Sequence, residues 1–426
     1  MASSAKKVLI PIAHGTEPLE AVAMITVLRR SGAYVTVASV ENQVGVDACH
    51  GIKMVADTLL SDITDSIFDL IMLPGGLPGG ETLKNCKPLE KMVKKQDTDG
   101  RLNAAICCAP ALALGTWGLL EGKKATCYPV FMEKLAATCA TASESRVEID
   151  GKIVTSRGPG TTIEFSLTLI EKLCGKQTAV DVSSILLPRP NPGEEFTFTE
   201  LNQTSWTLKD TPHILVPIAE GSDEIETIAV VDILRRAKAN VVIASVSNSL
   251  EVVGSHRANL VADVLLDEVL EKSFDLIMLP VSAYFQIKVS RRFVEKIVQK
   301  KGKKNLTSLM CHIQGGLNGA SRLSRCEKLV NMLKKQAEAS KPYGGICASP
   351  AYVFEPNGLL KGKKATTHPV VSNRLSDQSH VEHRVIVDGN LITSRAPGTA
   401  MECALAIVEK FYGREKALQL AKATLV

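Results

Sequence analysis

The sequence predicts an α/β fold built twice in tandem, with each copy forming a mainly parallel sheet covered by helices on both faces. Three observations lead to this prediction. Short apolar strands such as 8–12, 34–40 and 68–73 alternate with longer segments of amphipathic pattern. The chain has 426 residues, which exceeds the size at which one hydrophobic core keeps growing. The same pattern also returns in the second half of the chain.

An internal repeat defines the two copies. Residues 68–74 recur unchanged as 274–280, at an offset of 206. Beyond that point the offset is 240, as it is between Cys107 and Cys347. The second copy therefore contains a 34-residue insertion, 281–314, placed directly after the repeated segment.

We predict a first domain over 1–187, a linker over 188–212 and a second domain over 213–426. The linker is rich in Pro, Asn, Thr and Glu and lacks hydrophobic periodicity. The insertion 281–314 carries eight Lys or Arg residues against one acidic residue, so the net charge of +5 originates there. Three interpretations of it stay open: a lid over the site, a disordered loop, or a translated retained intron that disrupts the second copy. We favour the last.

The composition argues against several classes of function. Aromatic residues make up 4% of the chain, too few for a surface that stacks single-stranded nucleic acid, and the positive charge is confined to one segment. No apolar run approaches the ~20 residues of a membrane span. The 11 cysteines show no zinc-ligand spacing, and no secretory signal is recognisable. We therefore expect reduced thiols, no metal and a cytoplasmic location, with a nuclear one left open.

Each copy has a cysteine where an apolar strand runs into small residues and a helix. The segments are AAICCAP around Cys107 and GGICASP around Cys347. This strand–turn–helix pattern is typical of a nucleophile elbow, and the helix N-terminus favours a thiolate, so we expect a lowered thiol pKa. A buried structural cysteine is the alternative, but recurrence in both copies favours a functional role. We interpret the adjacent Cys108 as a packing residue.

A glutamate follows the first strand of each copy. Glu20 and Glu226 fall in the opening turn of the next helix, among apolar neighbours that turn them toward the sheet. A carboxyl half-buried beside a thiol has a raised pKa and can transfer a proton. Glu17 and Glu224 are interpreted as acids that only complement the helix dipole.

Glycine pairs and imidazoles complete the set of candidates. Backbone N–H groups of Gly75 and Gly76, and of their counterparts Gly315 and Gly316, are positioned to bind a developing oxyanion. The loop lacks the Lys-Ser/Thr of a phosphate-binding P-loop.

His368 is paired by register with Cys347, whereas the first copy has Tyr128 in its place. We take Tyr128, His50 and His256 as pocket-lining candidates, with His14 as a weaker one.

Four motifs carry a resemblance to a known family. They are the Leu-Pro-Gly-Gly loop at 73–76, the Ala-Ile-Cys elbow at 105–107, Thr-Thr-His-Pro at 366–369 and Thr-Ser-Arg-Gly-Pro-Gly-Thr at 155–161. Both copies resemble the DJ-1/PfpI superfamily, and specifically the tandem plant members of its DJ-1 branch. The resemblance covers nearly the whole chain except the linker and the insertion, and it implies two tandem flavodoxin-like domains.

The resemblance also implies an active site and an activity. The family pairs the elbow cysteine with a glutamate and a histidine, which map to Cys107 with Glu20 and to Cys347 with Glu226 and His368. The implied activity is a glutathione-independent glyoxalase that converts methylglyoxal to lactate without a cofactor, with a related deglycase activity. It also implies roles in oxidative stress, in which the same cysteine is oxidised to sulfinate, and antioxidant enzymes as partners. Peptidase activity is disfavoured, because Cys108 and Ala348 replace the histidine that PfpI-type proteases carry after the elbow cysteine.

Two further hypotheses stay open. The chain is a redox-sensing stress protein or chaperone whose reactive cysteine is oxidised and read by a protein partner, or a degenerate repeat with one working copy. Both the enzyme and the sensor need a reactive cysteine, so the motif does not separate them. Tandem duplication further predicts that the two copies pack as an internal pseudo-dimer.

Overall fold

The computed structural model describes residues 5–206, 211–280 and 319–426. The insertion 281–314 and the predicted binding residues Gly315 and Gly316 lie outside the described residues. The strands of the first copy are β1 (Lys7–Ile12), β2 (Tyr34–Ser39), β3 (Gly45–Asp47), β4 (Lys53–Val55), β5 (Thr58–Leu59), β6 (Leu70–Leu73), β7 (Leu102–Ile106), β8 (Lys124–Ala125), β9 (Thr141–Ala142), β10 (Val147–Asp150) and β11 (Ile153–Ser156). Its helices are α1 (Pro18–Arg30), α2 (Gly79–Asn85), α3 (Lys87–Thr98), α4 (Met132–Ala136), α5 (Thr162–Cys174) and α6 (Lys176–Leu186).

The remaining chain repeats this order of elements. Its strands are β12 (Thr199–Leu201), β13 (His213–Ile218), β14 (Asn240–Ser245), β15 (Glu251–Val253), β16 (Asn259–Val261), β17 (Val264–Leu265), β18 (Leu276–Leu279), β19 (Tyr343–Ile346), β20 (Val385–Asp388) and β21 (Leu391–Ser394). The described helices are α7 (Glu224–Arg236), α8 (Gly319–Arg325), α9 (Glu327–Glu338), α10 (Ala400–Tyr412) and α11 (Arg414–Thr424).

Each copy is built on one mainly parallel sheet. The order in the first sheet is β10-β11-β7-β6-β1-β2-β5, and β10 alone runs antiparallel to its neighbour. The second sheet repeats this order as β20-β21-β19-β18-β13-β14-β17. The central strands β6 and β7 are buried along their whole length, as expected for strands covered by helices on both faces. The predicted α/β fold class is confirmed.

Part of the segment predicted as a linker joins the second sheet. Strand β12 lies parallel to β20, with Thr199 opposite Ile386. Phe196 and Trp206, on either side of this strand, are buried, and Trp206 packs edge-on against Phe411 with ring centroids 5.1 Å apart. The sequence does not predict β12 because the residues around it are mostly polar. The two buried aromatic residues beside the strand provide its apolar contacts.

The two copies meet through both sheet and helix contacts. Strand β16 of the second copy pairs antiparallel with β4 of the first, which places Leu260 opposite Met54 and forms a four-stranded sheet, β15-β16-β4-β3, that spans both copies. Helices α1 and α7 also pack against each other. Arg30 pairs with Asp223 across this contact, with 2.6 Å between the nitrogen and the oxygen, and Arg236 pairs with Glu17 at 2.8 Å.

These two ion pairs follow from the repeat. Arg30 and Arg236 end equivalent helices, and Glu17 and Asp223 begin them, so each arginine reaches the start of the helix in the other copy.

The described part of the chain contains no helix with the length and apolar character that a membrane span requires.

We predict that Arg30→Met lowers the free energy of unfolding by about 3–5 kcal/mol, because it leaves the Asp223 carboxylate buried without its cation. Chemical denaturation measures this loss. The double variant Arg30→Met/Asp223→Asn should recover part of it, since Asn also caps a helix well. As a control, Lys87→Met removes the exposed partner of Glu90 and should cost under about 1 kcal/mol. Equal losses in the two single variants would contradict the prediction.

Candidate active site

The elbow cysteine of each copy sits in a strained backbone conformation. Cys107 directly follows β7 with φ of 63°, and Cys347 directly follows β19 with φ of 56°. Left-handed backbone is uncommon for residues other than Gly, Asn and Asp, and such strain concentrates at functional sites. The backbone N–H of Cys107 donates to the carbonyl of Ser156 at 3.0 Å, and that of Cys347 donates to Ser394 at 2.9 Å. Strands β11 and β21 therefore hold both turns in the same way.

Glu20 is brought to Cys107 by the start of α1. The side chain of Glu17 caps this helix by accepting the N–H of Glu20, with 2.6 Å between nitrogen and oxygen. Glu20 is fully buried, and its Oε2 accepts the N–H of Gly75 at 2.8 Å. A Cβ at Gly75 would lie 2.9 Å from both Glu20 Oε2 and Cys107 Sγ, and the carboxyl and the thiol are close enough to shift each other's pKa. The cap, the glycine loop and the elbow together position one carboxyl against one thiol.

Only glycine fits at position 75. A Cβ there would lie 2.6 Å from Cys107 Cβ and 2.9 Å from both Cys107 Sγ and Glu20 Oε2. The N–H of Gly75 is predicted to bind an oxyanion. In this structure that N–H donates to Glu20 Oε2 instead. Gly76 closes the loop against Gly15 and Glu17, where a Cβ would approach Gly15 O to 2.3 Å.

Burial dominates the ionisation of this pair. Burial, followed by the nearby Cys107 and Glu17, raises the pKa of Glu20 well above its usual value. The Cys108 hydrogen bond and burial raise the pKa of Cys107, while its hydrogen bond with Glu20 lowers it. The expected lowering of the thiol pKa by the helix N-terminus is therefore wrong for Cys107. Burial and the neighbouring thiol destabilise the thiolate of Cys107 by more than the helix N-terminus stabilises it.

The second copy repeats the framework. Asp223 caps α7 by accepting the N–H groups of Ile225 and Glu226. Glu226 is fully buried in the first turn of α7, as Glu20 is in the first turn of α1. Glu226 is close enough to the buried Cys403 to raise the pKa of that thiol, although burial is the larger cause.

Tyr128 and His368 occupy equivalent places and make equivalent contacts. The N–H of each donates to the carbonyl of its elbow cysteine, at 2.8 Å for Tyr128 and 2.9 Å for His368. Each side chain then reaches the last helix of the other copy: the Tyr128 hydroxyl donates to Ala423 O at 2.9 Å, and His368 Nε2 lies 3.0 Å from Ile185 O. The tyrosine therefore replaces the histidine as a donor that ties the elbow to the opposite copy.

The imidazole of His368 is held on both sides. Its Nδ1 accepts the N–H of Val370 at 3.3 Å while Nε2 faces the Ile185 carbonyl. Burial lowers its pKa, so the neutral ring is favoured. In this conformation His368 orients the elbow of the second copy, and neither ring nitrogen is open to take a proton from substrate.

His50 and His256 lie at the contact between the copies. His50 Nδ1 is 2.6 Å from Asp232 Oδ1, and Arg236 binds the other oxygen of that carboxylate at 2.7 Å. Although burial opposes it, the pairing with His50 and Arg236 lowers the pKa of Asp232. Arg236 also contacts Glu17, whose pKa burial raises to about 8. One guanidinium thus serves two buried carboxyls, and only one of them ionises fully.

The role expected for Glu224 is wrong. Its Oε1 accepts the backbone N–H of His256 at 2.7 Å and that of Ala258 at 3.2 Å, so it fastens a loop and does not simply complement the dipole of α7. The capping role belongs to Asp223 instead.

Two groups of side chains have the composition of a metal site. They are Glu17 with His50 and Asp232, and Asp223 with Glu224 and His256; within each, the ligand atoms lie within 4.8 Å of one another. An arginine is bound to carboxylates in both groups, Arg236 in the first and Arg30 in the second. A guanidinium at hydrogen-bond distance already supplies the positive charge, so both groups fit ion-pair networks better than divalent cations.

Comparison with known proteins agrees with this geometry. The model of the DJ-1/PfpI family matches residues 6–172, 212–312 and 310–410. The chain is 79% identical to Protein DJ-1 homolog A of Arabidopsis thaliana over the full length of both proteins. The chain belongs to the DJ-1/PfpI family. The predicted family is thereby confirmed.

Other relatives match either one copy or the whole chain. Glutathione-independent glyoxalase DJR-1.2 of Caenorhabditis elegans is 30% identical over 44% of this chain and 97% of its own length. Protein DJ-1 homolog B of Arabidopsis thaliana matches the whole chain at 72% identity and is covered over 89% of its length. Among solved structures, oxidized Toxoplasma gondii DJ-1 is 45% identical over 42% of this chain and 97% of its own, with a TM-score of 0.41.

Sequence reasoning missed the residues that each copy lends to the other site. Arg236 is close enough to affect the pKa of Tyr128 and is itself affected by Glu20, so it faces the site of the first copy. Arg30 faces His368 in the same way. The signal was present in the repeated Leu-Arg-Arg that ends both helices, but its meaning depends on how the two copies pack.

We predict that Gly75→Ala slows the alkylation of Cys107 by iodoacetamide at least tenfold, because the added methyl group crowds the sulfur. Peptide mass spectrometry after timed labelling measures the rate. Gly45→Ala is the control, since a Cβ at position 45 meets no atom within 4 Å. An unchanged rate in a folded Gly75→Ala protein would show that the loop does not gate the thiol.

Proposed function

We propose that this protein is a cofactor-independent glyoxalase that converts methylglyoxal and related small 2-oxoaldehydes to 2-hydroxy acids. The observation that carries the proposal is the buried contact between the Glu20 carboxyl and the Cys107 thiol beside the Gly75 loop. Membership of a family that includes a worm protein named as a glutathione-independent glyoxalase supports it. We propose a related activity on glycated thiols and amines as a secondary one.

The reaction begins with addition of Cys107 Sγ to the aldehyde carbon. The thiol proton passes to the carbonyl oxygen, and a hemithioacetal forms. Glu20 is the only carboxyl in contact with this thiol among the described residues, so it is the group that relays the proton. The N–H of Gly75, which binds the carboxylate at rest, holds Glu20 Oε2 in place during the transfer.

The second step is an isomerisation. Glu20 takes the proton from the hemithioacetal carbon to give an enediol and returns it to the adjacent carbon, which leaves a thioester of the hydroxy acid on Cys107. Water then cleaves the thioester and releases the hydroxy acid and the thiol. Methylglyoxal and water are consumed and lactate is formed, so no electron donor or acceptor is needed.

The sensor hypothesis needs less from the same residues. A redox sensor requires an oxidisable cysteine, whereas the isomerisation needs a carboxyl that gains and loses a proton in every turnover. Burial raises the pKa of Glu20, and a carboxyl with a raised pKa suits such an acid–base role. We propose a cytoplasmic location, with nuclear location and contact with antioxidant enzymes as extensions to be tested by fractionation and affinity capture.

We predict that Glu20→Gln in a Cys347→Ser background lowers kcat for lactate formation about 10²–10⁴-fold, because the amide cannot relay the proton. The assay follows lactate from methylglyoxal without glutathione. Comparison of Cys107→Ser, Cys347→Ser and the double variant identifies the working copy. If the Cys107→Ser/Cys347→Ser variant retains wild-type activity, the glyoxalase proposal fails, and the sensor hypothesis replaces it.

The pH dependence gives a separate test. The reacting form of the pair has lost one proton, and the pKa values of both Glu20 and Cys107 are raised. The inactive protonated form therefore dominates at low pH, and kcat/KM should rise with increasing pH, with a midpoint above the ordinary pKa of a glutamate. Glu17 contributes to both upward shifts, so Glu17→Gln should move this rise to lower pH. A shift in the opposite direction would contradict the assignment.

A further inference from the structure

The two elbows differ at the residue after the reactive cysteine. The first copy has Cys108, and the second has Ala348. A Cβ at Gly75 would lie 2.9 Å from Cys107 Sγ, so this sulfur lies against the glycine loop. Cys108 is 1% exposed and is close enough to Cys107 to raise the pKa of that thiol. The sulfur of Cys108 lies 3.5 Å from the carbonyl oxygen of Gly76. Both sulfurs of the first copy therefore lie along the same glycine loop.

A compensating exchange makes room for this sulfur. A Cβ at Gly80 would lie 2.6 Å from Cys108 Sγ, too close for any side chain. The counterpart of Gly80 in the second copy is Ala320, which is buried in the same core cluster as Ala348. The first copy thus combines Gly80 with Cys108, whereas the second combines Ala320 with Ala348. Space for a thiol beside the nucleophile exists in one copy alone.

We infer that Cys107 and Cys108 form a reversible disulfide when the first copy is oxidised. In the second copy Ala348 follows the elbow cysteine, and Cys347 takes the oxidation to sulfinate that the family resemblance implies. Hydrogen peroxide is the oxidant. The sulfur of Cys107 attacks one peroxide oxygen, the O–O bond breaks, and a sulfenic acid and water result.

The sulfur of Cys108 then attacks Cys107 Sγ, the S–O bond breaks, a disulfide forms and a second water leaves. Two thiols and one peroxide give one disulfide and two waters.

The advantage follows from which reaction is faster at the sulfenic acid. Attack by a thiol already in contact is intramolecular and does not depend on peroxide, whereas formation of sulfinate consumes a second peroxide. A disulfide between adjacent residues closes a small strained ring, and strained disulfides are reduced readily by external thiols. The first copy would therefore regain its thiol after oxidative stress, and the second copy would not.

The other nearby thiol of the first copy is placed differently. Cys127 lies 3.7 Å from the sulfur of Met132 and packs in a different core cluster from Cys107 and Cys108, although it is near enough to Cys107 for that thiol to raise its pKa. Its counterpart in the second copy is Thr367. Cys127→Thr therefore copies the second site at this position and serves as a matched control.

The test uses the full chain treated with stepped amounts of hydrogen peroxide and then blocked with N-ethylmaleimide. Mass spectrometry reads the peptides that carry Cys107 with Cys108 and Cys347. We expect the first to become about 2 Da lighter, through loss of two hydrogens, and to bind the blocking reagent only after dithiothreitol. The Cys347 peptide should become about 32 Da heavier, through gain of two oxygens, and dithiothreitol should not reverse this.

Variants separate the disulfide from general protection. Gly80→Ala/Cys108→Ala gives the first copy the packing of the second, and its Cys107 peptide should then gain about 32 Da. Ala320→Gly/Ala348→Cys should confer the reversible lighter form on the second copy. Cys127→Thr should behave as wild type. The inference is overturned if wild-type Cys107 reaches sulfinate at the same peroxide dose as Cys347, or if Cys127→Thr abolishes the lighter form. Because mass is the readout, neither result depends on the proposed glyoxalase activity.

Discussion

Burial of the Glu20 carboxyl depends on the packing of α1 against α7. The carboxyl sits one turn into α1, which Glu17 caps, and the same Glu17 is bound by Arg236 from the other copy. Loss of this contact would expose the start of the helix, return water to the carboxyl and let its pKa fall toward the value of a free glutamate. The acid–base chemistry of the first copy is therefore a property of the whole two-copy chain, and each half supplies a charge that the other half needs.

The two copies use one framework with different side chains. Tyr128 and His368 show this most clearly, since a phenol and an imidazole each bridge an elbow to a carbonyl in the last helix of the other copy. A hydrogen-bond donor of suitable length is what this position requires. That requirement explains how the first copy retains its elbow without histidine. It also makes proton transfer to the substrate a task for the carboxyl and not for residue 128 or 368.

Much of the fold was predictable from the sequence, because the repeat and the strand pattern are local signals. The strands predicted at 8–12 and 34–40 are found within a residue of β1 and β2, and the one predicted at 68–73 contains β6. The reactive residues were also predictable, since nucleophiles in parallel sheets follow the carboxyl ends of strands. The ends of β1, β6 and β7 bring Glu20, Gly75 and Cys107 together as expected.

The remaining features depend on contacts between segments far apart in sequence. No periodicity reveals that β16 pairs with β4, or that Arg30 and Arg236 reach the opposite copy. The same holds for the thiol pKa. The sequence shows a helix N-terminus after Cys107, which lowers a thiol pKa, but complete desolvation and the Cys108 contact are visible only in three dimensions. The small-residue exchange at Gly80 and Ala320 had a sequence signal, but only the distance to Cys108 Sγ gives it a meaning.

Asymmetry between the copies has a chemical consequence when the chain meets an oxidant. A buried cysteine whose pKa is raised reacts slowly with peroxide, since the thiolate is the nucleophile. In the first copy the Cys108 contact both contributes to that raised pKa and supplies the partner that intercepts the sulfenic acid. The same sulfur thus slows the first oxidation and limits the second. Ala348 offers no such thiol in the second copy, so the two sites of one chain differ in how long they keep a reduced thiol.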